Sequence, residues 1–162
     1  MNLECTQTLV LVLDLPYEQA RKRIVAALKE RGLQVAFNFD VADGILRSSG
    51  VRLPKSSVLG VGCPYQLLEA LVADGCAAVF LPLHVVLSEH GPECEVRLLA
   101  PQVLRAAGLT PAVSIPAHRT LRRIREVLIS IGACSTKRAY EGRPVVEIEA
   151  TEESFQEEAT GV

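Results

Sequence analysis

The chain has 162 residues, which is the size of one domain or of one domain with an extension. Hydrophobic residues make up 49% of it and charged residues 22%, which excludes a disordered chain, and no apolar run approaches the roughly 20 residues that cross a bilayer. The net charge of −2 removes the attraction that basic domains show for nucleic acid and anionic membranes. We expect a soluble, globular protein with neither kind of partner.

The first part of the chain alternates predicted strands and helices. Residues 8–13 (TLVLVL) are a continuous apolar run of strand length. Residues 16–31 carry apolar side chains at helical spacing and are followed by Gly32, which predicts an amphipathic helix. Residues 33–41 alternate apolar and polar side chains, which predicts a half-buried strand.

The middle of the chain continues this pattern. Residues 42–54 are predicted to be a connection with about one helical turn, and residues 57–62 a third strand. A second helix is predicted to begin at Pro64. Its inward stripe is expected to consist of Leu67, Leu68, Leu71 and Val72. Residues 77–87 predict a long strand with a bulge, bend or edge at Pro82, which has no N–H to donate.

The last elements decide the fold class. Residues 93–99 predict a hairpin partner for the preceding strand, and helices are predicted near residues 102–107 and over residues 116–131. The order β-α-β-β-α-β-β-α-α predicts an α+β fold, a two-layer α/β sandwich whose mixed, mainly antiparallel sheet has helices on one face. We expect residues 1–132 to form this domain and residues 133–162 to be an acidic extension, mobile or adding an edge strand.

The cysteines bear on the compartment and on cofactors. None of the five shows C-x-x-C or zinc-finger spacing, and the N-terminus resembles no signal peptide, so we expect reduced thiols and a cytoplasmic location. Glycine-rich nucleotide and phosphate motifs, zinc-protease motifs and hydrolase motifs are also absent from the sequence. We therefore expect no cofactor, and no catalytic motif argues for an enzyme.

Several short motifs resemble a known family. A helix and strand over residues 18–41 are followed by LGVGCP at residues 59–64, EAL at residues 69–71 and FLPLHVV at residues 80–86. In this order the motifs resemble the domain-of-unknown-function family 302 over residues 8–131. The resemblance implies a small two-layer fold with an antiparallel sheet, found in prokaryotic proteins that self-associate, and it implies no established reaction.

The chain departs from the pattern of that family at two points. The family shows Gly-x-Cys-Asn-Pro before the second helix and Leu-Pro-Cys-Asn on the following strand. Here Gly62 and Cys63 occupy the first Cys-Asn position, and Leu83 and His84 occupy the second. Thiol chemistry at these points is therefore not carried over to this chain.

Cys63, Pro64 and His84 are the first candidate binding residues. Cys63 precedes the helix that begins at Pro64, where the helix dipole lowers the pKa of a thiol and favours a nucleophile or a ligand; the alternative is a small apolar residue packed in a turn. His84 shares a pocket with Cys63 if the sheet brings their strands together. Two soft ligands are too few for a zinc site, so we assign no metal.

Arg119, Arg122 and Arg123 are the second set of candidates. Their i, i+3 and i+4 spacing places them on one flank of the last long helix, where they suit a phosphate or a carboxylate. The alternative is a solvated helix face that the acidic extension neutralises. We expect an anionic ligand there only if that extension does not cover it.

The sequence favours a binding protein over an enzyme. A two-layer fold leaves one sheet face without helices, and the apolar strands at residues 8–13 and 77–87 place apolar side chains on that face. Since a second subunit can cover them, we expect a homodimer that binds an unidentified small molecule or partner protein. On that expectation, Val10→Asp or Leu11→Asp produces monomers. The alternative is a thiol-based redox or sulfur-handling protein that uses Cys63, and a third class is a metal enzyme around His84.

Overall fold

The computed structural model describes residues 7–135. The predicted acidic extension therefore lies outside the described residues beyond position 135, and so does Cys5. All statements about the fold below concern residues 7–135.

The described residues form one antiparallel sheet. Its strands lie in the order β2-β3-β4-β5-β1-β6, and each pair of neighbours is antiparallel. The strands are β1 (Thr8–Leu13), β2 (Gln34–Asp40), β3 (Ser56–Gly62), β4 (Leu83–His90), β5 (Glu93–Leu99) and β6 (Cys134–Ser135). The predicted fold class is confirmed, and the predicted hairpin is formed by β4 and β5.

Six helices accompany the sheet within residues 7–135. They are α1 (Tyr17–Glu30), α2 (Val41–Ser49), α3 (Pro64–Ala73), α4 (Ala77–Phe80), α5 (Pro101–Ala106) and α6 (Pro111–Ser130). Helix α6 packs against α1, α3, α4 and α5, so these helices form one layer. The layer covers one face of the sheet, which we call the covered face, and the opposite face is called the open face.

The alternation of side chains along β1 shows the difference between the two faces. Leu11 and Leu13 are 1% and 3% exposed on the covered face, whereas Val10 and Val12 are half-buried on the open face. The placement of Leu11 on the exposed face, on which the Leu11→Asp prediction depends, is therefore wrong, because Leu11 belongs to the core. Val10 lies on the open face, so Val10→Asp is the substitution that places a charge there.

Two connections contain more helix than the sequence predicts. Residues 77–87 are not one strand: α4 occupies Ala77–Phe80, and β4 begins only after the cis Leu81–Pro82 peptide bond. A short apolar run cannot distinguish a buried strand from a buried helical turn, which explains this difference. Residues 42–54 contain the nine-residue α2, which Asp40 caps by accepting a hydrogen bond from the N–H of Asp43 at 2.9 Å.

Helix α2 lies apart from the helix layer. The ring of Phe39 lies against Gly44 of α2, and Phe39 is paired with Val58, whose side chain is on the open face. On the same face, the ring of Phe37 stands over Gly60 and meets His84 edge to face, with the ring centroids 5.7 Å apart. The open face near β2 is therefore aromatic and half-exposed.

Two other helices differ from their predicted form. Helix α6 begins at Pro111 and continues through Pro116, which gives up only one intrahelical hydrogen bond. In α3 the predicted inward stripe is confirmed only at Leu67, which packs against the core; Leu68, Leu71 and Val72 are exposed, and Ala70 is buried instead. An almost wholly apolar helix has no polar face from which its orientation can be deduced.

Candidate functional site

A cavity of about 220 Å³ lies beside the start of α3. Its walls come from β2, from the end of β3, from α3, from the segment before β4 and from α6, and their surface is mostly apolar. We call it the Cys63 cavity, and the residues used below are Cys63, Leu67, Leu68, Leu71, Pro82 and Thr120.

The backbone places Cys63 at the rim of this cavity. Cys63 leaves β3 in an extended conformation (φ −107°, ψ 120°) and is the N-cap residue of α3. Pro64 occupies the first helical position, where its missing N–H costs no hydrogen bond. Pro64 also lines the cavity. Both residues lie at the strand-to-helix junction, where the sequence predicts them.

The electrostatic surroundings favour the thiolate of Cys63. Partial burial of the thiol is the largest single influence and opposes its ionisation. The backbone N–H groups of Gln66 and Tyr65 and the guanidinium of Arg123 act in the opposite direction. Together they lower the pKa of the Cys63 thiol below its ordinary value.

Arg123 connects this junction to α1. Its Nη2 donates a hydrogen bond to the carbonyl oxygen of Arg31, at the end of α1, at 2.5 Å. The same guanidinium favours the Cys63 thiolate electrostatically. Arg123 is thus held in place by a backbone oxygen 92 positions away in the chain.

The three candidate arginines do not act as one group. Only Arg123 reaches the Cys63 junction, whereas Arg119 and Arg122 are exposed. Arg122 forms an ion pair with Glu126, one helical turn away, with 3.8 Å between Nε and Oε1. All three arginines lie on α6, as predicted, but Arg123 faces Cys63 while Arg119 and Arg122 face solvent.

A partly buried hydrogen bond stabilises the wall of the cavity. Thr120 is 1% exposed, and its hydroxyl donates to Oε1 of Gln66 at 2.7 Å, which joins α6 to α3. Neither residue is among the candidates predicted from the sequence. Thr120 lies at helical spacing from the apolar residues Ala117 and Ile124, and this position on the buried face of α6 was the available signal.

His84 lies away from the Cys63 cavity. Its exposed side chain is on the open face opposite Gly60, beside Phe37, and it does not line the cavity. Among residues 7–135, no three histidine, cysteine, aspartate or glutamate side chains are grouped at metal-binding distance. The structure therefore does not bring Cys63 and His84 together.

An exposed apolar surface adjoins the cavity. Leu68 and Leu71 line the cavity and are themselves exposed on α3. With them we define the α3–α4 surface, which also contains the exposed residues Tyr65, Val72, Val79 and Phe80. An apolar surface beside a cavity is typical of a binding site.

Comparison with known proteins identifies the family. The family model described as Domain of unknown function DUF302 matches residues 10–131, so the chain belongs to this family. The chain is similar to the crystal structure of an uncharacterized conserved protein DUF302 from Bacillus stearothermophilus, with 20% sequence identity and a TM-score of 0.66. The similarity covers 75% of this chain and 95% of that one.

Other comparisons are limited. No curated protein matches the sequence. The similar crystal structure supports the fold and, at its low identity, nothing about a ligand. Among the described residues, no helix combines the length and the apolar character needed to cross a membrane.

Proposed function

We propose that the protein is a binding protein that holds a small, largely apolar molecule in the Cys63 cavity. The observation that carries this proposal is the cavity itself, with about 220 Å³ of space between mostly apolar walls. An apolar cavity of about 150 Å³ in another protein binds benzene, so this volume suits a ligand of one ring or slightly more.

The polar groups at the rim suggest the chemistry of the ligand. The Cys63 thiol lies at the rim, and the Arg123 guanidinium acts on this thiol from outside the cavity lining, whereas Leu67, Leu68 and Leu71 form the apolar wall. A few polar groups in an apolar pocket orient the ligand. The preferred ligand therefore has an apolar body and one polar or anionic end.

A titration with indole tests the cavity. Indole is expected to shift the backbone amide NMR signals of Leu67 and Thr120 in a saturable way. Ala36→Trp adds a ring at the cavity wall and should weaken binding at least about tenfold, which corresponds to about 1.4 kcal/mol.

Ala26→Trp provides the matched control. Ala26 is exposed on α1, like Ala36 on β2, but it does not line the cavity. Its substitution should leave the indole affinity unchanged. Absence of saturable shifts in the unmodified protein, or equal affinities of the two tryptophan variants, would contradict the proposed binding function.

A homodimer formed through the open face is the second part of the proposal. Val10, Val12, Val58 and Val86 are half-buried there, and the aromatic ring of Phe37 is 42% exposed. Apolar side chains on an uncovered sheet face are stabilised when a second subunit excludes water from them. A cytoplasmic location stays a prediction.

Sedimentation of two charge variants tests the dimer face. Val10→Asp places a carboxylate on the open face and should produce monomers. Val72→Asp places the same charge on the α3–α4 surface and should leave the dimer intact. If the unmodified protein is a monomer, or if only Val72→Asp dissociates it, the open face is not the dimer interface.

A thiol-based redox or sulfur-handling role is the second candidate. The lowered pKa of Cys63 and the position of Arg123 favour it. Alkylation of Cys63, followed by mass spectrometry, should show a half-point below the free-thiol value of about 8.5, and Arg123→Gln should raise it. Cys63→Ser separates the two candidates, because indole binding survives this substitution while a thiol reaction does not.

A further inference from the structure

The outer surface of the helix layer carries mostly positive charge. Helices α1 and α6 pack against each other and are joined by the hydrogen bond from Arg123 to Arg31. We define the basic face by the exposed residues Lys22, Arg23, Lys29, Arg119, Arg122 and Arg125. These two helices therefore present cations from two elements on one side of the molecule.

Acidic residues on the same helices do not neutralise this charge. Glu18 is paired with Lys55, outside the basic face, at 3.0 Å, and Glu126 is paired with Arg122. The third carboxylate, Glu30 at the end of α1, is exposed and forms no ion pair within residues 7–135, so it offsets only one of the six cations. Apart from Arg122, none of the cations of the basic face forms an ion pair with any residue in the range 7–135. The basic face thus retains most of its positive charge.

The opposite charge is concentrated at the end of the same chain. Residues 141–162 contain seven glutamates and one arginine. The overall net charge of −2 conceals this division between a basic helix surface and an acidic terminal segment. Charge complementarity of this kind selects a partner and its orientation.

The chain beyond the described residues is long enough to reach the basic face. Helix α6 ends at Ser130 and β6 ends at Ser135, so the terminal segment begins close to one end of α6 in the chain. An α-helix rises about 1.5 Å per residue, which makes the 20-residue α6 about 30 Å long. An extended chain spans about 3.3 Å per residue, so ten residues already cover this length.

We propose that the basic face is a binding surface for acidic peptide segments and that residues 141–162 of the same chain occupy it. Contacts between glutamate carboxylates and the lysine and arginine side chains hold the segment. An external anionic partner then has to displace it. This proposal does not depend on the Cys63 cavity.

Zero-length cross-linking of the full chain with a carbodiimide tests the contact. It joins lysine ammonium groups to carboxylates that touch them, so Lys22 and Lys29 should link to glutamates in residues 141–162. Lys55 is the control lysine, since it lies off the face and is paired with Glu18. The links should be lost when the salt is raised from about 0.05 M to about 0.5 M, because salt screens exposed ion pairs.

The location and the concentration dependence of the links decide the outcome. Links within single chains that persist on dilution support the proposal. Links that disappear on dilution identify the segment of a second copy as the occupant and overturn the intramolecular form. Absence of links from Lys22 and Lys29 to residues 141–162, or equal linking of Lys55 to those same residues, overturns the proposal; a link from Lys55 to Glu18 is expected in every case.

A heparin column provides an independent test with a double-mutant cycle. One variant replaces Glu147, Glu149, Glu152 and Glu153 by glutamine, and a second replaces Arg119 and Arg125 by glutamine. If the segment covers the basic face, replacing the two arginines should clearly lower the salt concentration at which the protein elutes only in the chain whose four glutamates are also replaced. An equal change in both backgrounds overturns the proposal.

The matched control uses arginines of α2 and its flank. Replacement of Arg47 and Arg52, which are exposed outside α1 and α6, removes the same charge from another surface. Its effect on elution should be the same with and without the glutamates. If the effect of replacing Arg47 and Arg52 depends on the glutamates as strongly as that of replacing Arg119 and Arg125, the dependence reflects general charge effects, and the proposal is overturned.

Discussion

The two faces of the sheet share their strands but differ in what covers them. On the covered face, β1 contributes Leu11 and Leu13 to a core that α1 and α6 complete with Ile24 and Leu128. On the open face, the same strand presents Val10 beside half-exposed side chains. Apolar residues on alternate sides of one strand therefore differ in role: those that face the helix layer form the core, and those on the other side form a half-exposed surface.

Substitution of adjacent residues in β1 should give the largest contrast. Leu11→Asp buries a carboxylate without a partner and is expected to cost more than about 4 kcal/mol in the free energy of unfolding. Val10→Asp is expected to cost less than about 2 kcal/mol. Urea denaturation followed by circular dichroism measures both, and equal losses would contradict the distinction between the faces.

The buried thiol Cys94 should make stability depend on pH. Burial raises the pKa of Cys94 to about 11, so above the free-thiol value of about 8.5 the unfolded chain loses this proton while the folded chain retains it. Stability is therefore lost as the pH rises, by about 2 kcal/mol at pH 11.

Urea denaturation across this pH range measures the effect. Cys94→Ala should lack the part of the loss that Cys94 causes, whereas alanine at the exposed Cys134 should leave the pH dependence unchanged. Equal pH dependence of the unmodified protein and Cys94→Ala would show that Cys94 does not resist ionisation in the core.

The polar pair on the covered face should have a smaller effect. The hydroxyl of Tyr17 donates to Oγ of Ser57 at 2.9 Å, and both side chains are buried. Tyr17→Phe leaves the serine without this partner and should cost about 1–2 kcal/mol in urea denaturation.

A double-mutant cycle isolates the interaction of this pair. Adding Ser57→Ala to Tyr17→Phe should cost less than the sum of the two single losses. Additive losses would show that the hydrogen bond contributes nothing to the stability of the covered face.

Gly60→Ala should give the smallest effect, on the open face. The ring of Phe37 occupies the space of the new Cβ, but this ring is half-exposed and can turn outward. We expect a loss below about 1 kcal/mol, together with loss of the NMR contact between Phe37 and His84. Gly75→Ala is the control, because nothing lies within 4 Å of its Cβ; a preserved ring contact in Gly60→Ala would contradict the packing described.

Elements with a clear periodicity were predictable from the sequence. Strands β1 and β5 and helix α1 have nearly their predicted bounds, because alternation and helical spacing are local properties of the chain. The short α4 was not predictable, since four apolar residues carry no period. Helix α3 was assigned correctly as a helix, but the side that it buries was not.

The candidate site was predictable only at its junction. The sequence by itself determined the α+β class and the place of Cys63 and Pro64 at the start of α3, because strand, proline and helix signals are neighbours in the chain. Tertiary structure alone decided that Arg123 and Thr120 reach this junction and that His84 does not. These contacts join residues far apart in sequence, and they depend on how α6 packs over the sheet rather than on any local preference.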